Sequence, residues 1–315
     1  METLYWSVSP ELKKVAEEHY RTRFAVGLKD KEPLEIIRQI TFDGVVPSIE
    51  IRDIENLFNF VESRFLKNRI KGIGLEVGAG PATFSSVLAK RDSVEKMYAV
   101  EVCRPIVELL MSKVAGYVLG NRESKVIGGV GNFDNMELTN ESVDFIFDFF
   151  SLHHSDNLEK TFKECSRILK KGGFIFCFDK ARPDHFIKND LDELLDFEYD
   201  ENFKKQMGMP LNQKFTRRMN DEKEYRLKDW ILSFKKAGFD RIKYFYLAKT
   251  FGRNTFVRLT KDYLSVLPLS SQIFLNKLIP FRKPNHKFIL ESKNKVFSKW
   301  VNPFPKEISL MIAFK

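Results

Sequence analysis

Between Leu75 and Thr83 the chain reads Leu-Glu-Val-Gly-Ala-Gly-Pro-Ala-Thr. Glycines at 78 and 80 let a strand turn sharply into a helix, and they let a ligand approach the main chain where the helix offers its first N–H groups. A plain strand-to-helix connection would use the same glycines, so the neighbouring acids decide the chemistry. Glu76 stands where the pyrophosphate of a dinucleotide would lie, and Thr83 occupies the third glycine position of the GxGxxG fingerprint. A carboxylate repels phosphate and attracts an ammonium group, which favours a cationic, phosphate-free cofactor. Glu101 closes Tyr98-Ala99-Val100-Glu101, a position from which an acid accepts hydrogen bonds from both ribose hydroxyls of an adenosine. Farther on, Asp148-Phe149-Phe150-Ser151-Leu152-His153-His154 joins an acid and two imidazoles to two aromatic rings. That set offers bases to unmask a hydroxyl or amine and ring faces that tolerate a cation. Asp179, Lys180 and Arg182 follow the next apolar run as polar handles for a substrate, although solvated loop charges would look the same.

The elements that must position these residues follow from the patterning. Ile73–Val77, Met97–Val102, Lys125–Gly128, Val143–Phe150 and Phe174–Phe178 read as short buried strands. They alternate with helical stretches over 81–90, 105–118 and 157–169, the second opened by Pro105 and the third stopped by Gly172-Gly173. This rhythm predicts βαβ units, a parallel sheet with helices on both faces, and ligands at the carboxyl ends of the strands. A helix over 227–236, a strand over 241–247 and a closing strand over 308–314 complete it. Residues 1–69 read as an amino-terminal helical cap, 183–225 as a lid, and 251–304 as an insertion, so the catalytic domain spans 70–250 and 305–315.

Composition narrows the classes. The 315 residues carry 52 Lys+Arg against 43 Asp+Glu, yet the excess is local. Residues 251–300 hold ten Lys or Arg and two acids, whereas residues 1–250 are charge-neutral. This basic segment is interleaved with Phe274, Leu278, Ile279 and Phe281, a mixture that suits an amphipathic element on an anionic membrane surface better than a groove tracking nucleic acid. Three separated cysteines, Cys103, Cys165 and Cys177, exclude a disulfide framework and a zinc cluster and point to a reducing compartment. The amino terminus has no basic, apolar signal pattern, and no run reaches the ~20 apolar residues of a spanning helix. A cytoplasmic protein, peripheral at the inner face of a membrane where the basic segment docks, is the expectation.

In order and spacing these motifs resemble the class I S-adenosylmethionine-dependent methyltransferases, in particular the small-molecule group that includes the ubiquinone/menaquinone and sugar methyltransferases. The resemblance covers residues 70–180, with weaker agreement to 249 and over the last strand, and rests on four motifs in register: the glycine turn, Glu101, Gly131-Asn132-Phe133 and the Leu152-His153-His154 turn. It implies an α/β fold, a Rossmann-like doubly wound, mostly parallel seven-stranded sheet whose last strand is antiparallel. It implies S-adenosyl-L-methionine as cofactor and S-adenosyl-L-homocysteine as product. By resemblance Glu76, Gly78, Ala79 and Gly80 hold the methionine end, Glu101 with Val102 the ribose, and Asn132 with Phe133 the adenine, with Phe149 beside them. The chain departs from the pattern at Ala82, where the family has a further glycine, and at Asn132, where it usually has aspartate. His154, His153 and Asp148 are the catalytic candidates, and Phe150, Asp179, Arg182 and Tyr20 the substrate-binding ones, with no metal. The expected acceptor is the O, N or C of a small molecule: a sugar, a secondary metabolite or a lipid-linked intermediate. The stretch Asp148-Phe149-Phe150-Ser151 lacks the Asn/Asp-Pro-Pro-aromatic run of enzymes that methylate base amino groups, which disfavours nucleic acid. Two other readings stay open: a catalytically silent cofactor-binding scaffold, and non-methyl use of the cofactor such as intramolecular cyclisation.

Overall fold

A computed structural model of the chain describes residues 1–23, 27–41, 49–182, 184, 186–206, 209–250, 287–292, 295–301 and 308–315. Its strands in chain order are β1 (Glu2–Tyr5), β2 (Gly72–Val77), β3 (Val94–Glu101), β4 (Val126–Val130), β5 (Val143–Phe149), β6 (Leu169–Asp179), β7 (Arg241–Thr250), β8 (Lys287–Ser292), β9 (Lys295–Val301) and β10 (Ile308–Phe314). The helices are α1 (Pro10–Arg23), α2 (Pro33–Ile36), α3 (Ile51–Val61), α4 (Thr83–Ala89), α5 (Arg104–Ile106), α6 (Ser112–Leu119), α7 (Leu158–Ile168), α8 (Lys188–Asp196), α9 (Glu201–Gln206) and α10 (Leu227–Lys236).

One sheet runs β1-β4-β3-β2-β5-β6-β10-β7-β8-β9. From β4 to β7 it is the expected seven-stranded, doubly wound arrangement: β2, β3, β4, β5 and β6 pair in parallel, and β10 inserts antiparallel between β6 and β7. The chain order reverses beside β2, so the carboxyl ends of β2 and β5 open on a crevice. Alternation along the strands feeds two cores. On one face Phe145, Phe147 and Phe176 meet Phe84 of α4 and Phe58 of α3, the Phe58 and Phe147 rings edge-on at 5.1 Å. On the other face Ile146, Ile175 and Met311 pack on α7 and α10, where Phe162 stacks on Phe234 at 3.8 Å.

The structure differs from the sequence reading in several places. The amino terminus is not wholly helical: β1 pairs in parallel with β4 at the sheet edge. Trp6 then packs where Gly131 has no side chain, since a Cβ there would lie 2.5 Å from the indole. The helix expected to run to Leu169 stops at Ile168, and β6 starts at once, crossing Gly172 with φ +76°. Helix 105–118 is a continuous helical stretch from Arg104 to Leu119 with one wide turn over Val107–Met111. Three strands join the expected seven, and two of them, β8 and β9, form an antiparallel pair beside β7. The described end of the basic insertion is therefore strand. Residues 251–286, which carry most of the membrane-facing expectation, lie outside the described residues. No helix among the described residues is long and apolar enough to cross a membrane.

Candidate active site

A cavity of about 380 Å³ opens at the carboxyl ends of β2, β3, β4 and β5. Its floor is the glycine turn. Gly78 adopts φ +59°, and a Cβ there would lie 2.2 Å from Ser151 Oγ, so only glycine fits. Ser151 Oγ instead donates to the Gly78 carbonyl at 3.0 Å, tying the β2 turn to the β5 turn. Ala79 N donates to Val100 O at 2.8 Å, and Gly80 N to Glu101 Oε2 at 3.1 Å. Ala82, at the position where the family has glycine, holds φ +61° as the residue before α4. Left-handed backbone costs a non-glycine residue about 1–2 kcal/mol, so the requirement there is conformational as well as steric.

Glu76 is 1% exposed and lines the cavity. One of its oxygens accepts from Ser85 N at 2.6 Å and Ser85 Oγ at 2.5 Å. Burial pushes its carboxyl up to about 8 despite these two bonds. Glu101 accepts from Gly80 N and from Cys103 N at 2.9 Å, and burial raises its carboxyl as well. Val102, Asn132, Phe133 and Ile106 line the same end, with Asn132 Oδ1 accepting from Asp134 N at 3.0 Å. Leu12, Val15 and Ala16 of α1 border the cavity beside Cys103.

The opposite end is built by the β5 turn. Phe149 packs on Phe84 at 4.5 Å. Phe150 is held at φ +55°, a strained conformation for a bulky residue, by its N–H bond to Phe178 O at 2.9 Å. His153 is 4% exposed and lines the cavity. Its Nδ1 lies 2.7 Å from Asp179 Oδ1, and its backbone N donates to Asp179 Oδ2 at 3.0 Å. Asp179 at the end of β6 thus grips both the ring and the backbone of His153. His154 lines the cavity too, with Nδ1 donating to Asp221 O at 2.9 Å. Burial, and then the neighbouring His153, hold its imidazole well below the usual range, so it is neutral.

Asp148 stands apart from this lining. It is fully buried beneath the turn, where Oδ1 accepts from Ser151 N at 3.1 Å and Leu152 N at 3.0 Å while Oδ2 has no partner. Burial and the nearby Asp179 push its carboxyl well up, and it braces the turn away from the cavity lining. Asp179 is likewise out of the cavity, acting on His153 from behind. Arg182 is bound bidentately to Glu224 at 2.5 and 2.9 Å, outside the lining. Tyr20 sits on α1, but its side chain is outside the described residues.

The lid supplies residues that sequence reasoning missed. Tyr199 and Phe203 line the cavity, their rings stacked at 4.1 Å. Glu222, in the turn that also brings Asn220 and Asp221 to the wall, accepts from Lys180 Nζ at 2.5 Å and from the Tyr199 hydroxyl. The carboxyl is held well below its usual range, the Lys180 ammonium beside it outweighing burial. Glu224, with no side-chain exposure, gathers Lys180, Arg182 and Arg217. No recurrent spacing marks these positions. The available signal was the run of acids and aromatics at 196–203 and the polar turn at 220–222.

Residues 75–177 match a methyltransferase-domain family model. No curated protein matches the chain by sequence. Among solved structures, a proposed sarcosine dimethylglycine methyltransferase from Galdieria sulphuraria aligns at 15% identity over 96% of this chain and 98% of its own, with a TM-score of 0.51. A proposed methyltransferase from Bacillus halodurans aligns at 20% identity over 84% of this chain and 99% of its own, with a TM-score of 0.48. A geranyl diphosphate methyltransferase in complex with S-adenosylmethionine aligns at 11% identity over 82% and 84%, with a TM-score of 0.49. At 15% identity the likeness to the Galdieria protein is one of fold.

Proposed function

We propose that this chain, a class I S-adenosylmethionine-dependent methyltransferase, methylates an oxygen or nitrogen of a small molecule, with His153 as the general base and Asp179 as its positioning partner. The observation that carries this reading is the contact of His153 Nδ1 with Asp179 at 2.7 Å, which leaves Nε2 as the polar edge of the ring at the cavity. An aspartate on Nδ1 fixes the tautomer in which Nε2 accepts a proton and stabilises the imidazolium that results.

The cavity suits the cofactor. Its described lining includes Glu76 and Glu101 and no Lys or Arg, which fits a cationic ligand without phosphate. Glu76, Gly78, Ala79 and Gly80 would hold the methionine end, Glu101 and Val102 the ribose, and Asn132 and Phe133 the adenine. When bound, S-adenosylmethionine supplies an electrophilic methyl group on a sulfonium. Methyl transfer is an in-line displacement, so the protein's main work is to hold the nucleophile ~3 Å from the methyl carbon and to exclude water. Phe149 and Phe150 provide the aromatic face, Tyr199 and Phe203 close it from the lid, and His153 takes the proton. The described lining has no Lys or Arg to hold a phosphate, which favours a secondary metabolite over a lipid-linked intermediate of anionic character among the acceptors considered.

Calorimetry with S-adenosylmethionine and S-adenosylhomocysteine, followed by mass-spectrometric screening of acceptors, tests the reading. Cofactor uptake with S-adenosylhomocysteine formed only when an acceptor is added is the expected result. Binding of neither ligand would refute it. Accumulation of 5′-methylthioadenosine without acceptor would instead establish cyclisation.

A further inference from the structure

The acceptor end of the cavity has a chemistry of its own. Phe150, Tyr199 and Phe203 give it aromatic walls, with Tyr199 stacked on both Phe203 at 4.1 Å and Phe215 at 5.6 Å. Beside His154, whose Nδ1 donates to Asp221 O, the lining includes Asp221 and Glu222, with Asp156 joined to Asp221 through Lys223. The basic side chains nearby approach from outside the lining: Lys180 reaches Glu222 at 2.5 Å, and Lys223 reaches Asp221 at 2.6 Å and Asp156 at 3.1 Å. A ligand therefore meets carboxylates and ring faces, while the ammonium groups stand behind them. Ring faces and carboxylates attract a cation, and an anion gains nothing from either. His153, only 4% exposed, brings an imidazole edge without a hydrogen-bond partner among the described residues.

We infer that the acceptor is an amine carried on a flat apolar body, which enters as its ammonium form and is methylated on nitrogen. The inference rests on the methyl-transfer reading above. The ammonium gives one proton to Nε2 of His153, and the freed nitrogen pair forms the N–C bond as the C–S bond breaks. The sulfur keeps that electron pair and becomes neutral, the product leaves as the methylammonium ion, and His153 returns its proton to solvent. The surplus of carboxylates serves to gather the cation before it is deprotonated, and the aromatic walls hold its body.

Titration of the S-adenosylhomocysteine-loaded protein with 2-phenylethylamine, 2-phenylethanol and 3-phenylpropanoate tests this by binding alone. The amine should bind about tenfold more tightly than the alcohol, the margin of one cation–π or carboxylate contact, and the propanoate most weakly. Glu222→Gln should abolish most of that margin, read as the ratio of amine to alcohol affinity within the same variant. Because Glu222 also anchors the lid through Lys180, Asp156→Asn at the exposed rim is the second variant, and it should reduce the margin without altering thermal stability. Equal binding of amine and alcohol, preference for the propanoate, or binding of none of the three would overturn the inference. Failure to load S-adenosylhomocysteine in the first step would refute the methyl-transfer reading itself.

Discussion

Replacing Glu76 by glutamine should make the protein more stable and a worse cofactor binder, and the pH dependence separates the two effects. Glu76 is fully buried, and its carboxyl is pushed from an ordinary 4.5 up to about 8. Between those values the native state holds a proton that the unfolded chain has released. Stability contributed by this group is thus fully present below pH 4.5 and is lost as pH rises through 8. Each pH unit in that window costs about 1.4 kcal/mol, so the wild type should lose on the order of 3–5 kcal/mol from this residue by pH 8. Glutamine mimics the neutral acid and can still accept from Ser85, so the variant should lack this slope. Urea denaturation of both proteins at half-unit steps from pH 4.5 to 9 measures the difference directly. Parallel stability curves would refute the reasoning. With the proposed placement of the cofactor's ammonium against Glu76 the same carboxyl ionises on binding, so cofactor binding at pH 7 should release about 0.9 proton from this site in the wild type and none in the variant. Calorimetry in buffers of different ionisation enthalpy reads that number, alongside an affinity loss of about 2 kcal/mol.

Three other perturbations probe other parts of the site. Gly78→Ala places a methyl 2.2 Å from Ser151 Oγ in left-handed backbone; conformational strain plus the broken Ser151 hydrogen bond should cost about 2–4 kcal/mol and most cofactor affinity, and an unchanged melting temperature would contradict the geometry. Asp179→Asn should lower kcat about 10²- to 10⁴-fold with cofactor affinity retained, the deficit shrinking as pH rises and the nucleophile sheds its own proton; a pH-independent deficit would make Asp179 merely structural. Glu224→Gln leaves Lys180, Arg182 and Arg217 without their shared buried partner and should cost about 3–5 kcal/mol above pH 5, seen by denaturation. Because the Glu224 carboxyl is lowered to about 2, the wild type should surrender that advantage as pH falls from 4.5 towards 2, and persistence of the gap at pH 2 would refute the assignment.

The catalytic sheet was legible because each of its strands is a buried apolar run with a helix between it and the next, a pattern that local residue types impose. Element ends were less so. β6 begins five residues before Phe174 because Lys170 and Lys171 can sit on a strand whose Gly172 and Gly173 bend it outward, a choice made by pairing and invisible to propensity. β1 escaped notice because four residues with two exposed ends carry no periodicity, and only its parallel partner β4 makes them a strand. At the turn, Ala82 looks acceptable on size, yet its φ of +61° shows a backbone demand that composition cannot express.

The site divides along the same physical line. The residues proposed to face the cofactor lie within one strand-turn-helix unit and the ends of the next two strands, so their spacing in sequence is nearly their spacing in space. The proposed catalytic pair depends instead on which strands become neighbours. His153 and Asp179 are 26 positions apart and are joined only because β5 and β6 pair in register, bringing Phe149 opposite Phe178. Asp148, nearer in sequence to the histidines, points down into the turn, and burial pushes its carboxyl well up. An acid's role here follows from the register of the strand beside it, and the lid carboxylate Glu222, 69 residues beyond His153, reaches the same cavity because Lys180, Tyr199 and His154 hold its turn there. On the proposed reading, acceptor specificity resides in long-range pairings, and variants of Tyr199, Phe203 and Glu222 should change it without disturbing the cofactor.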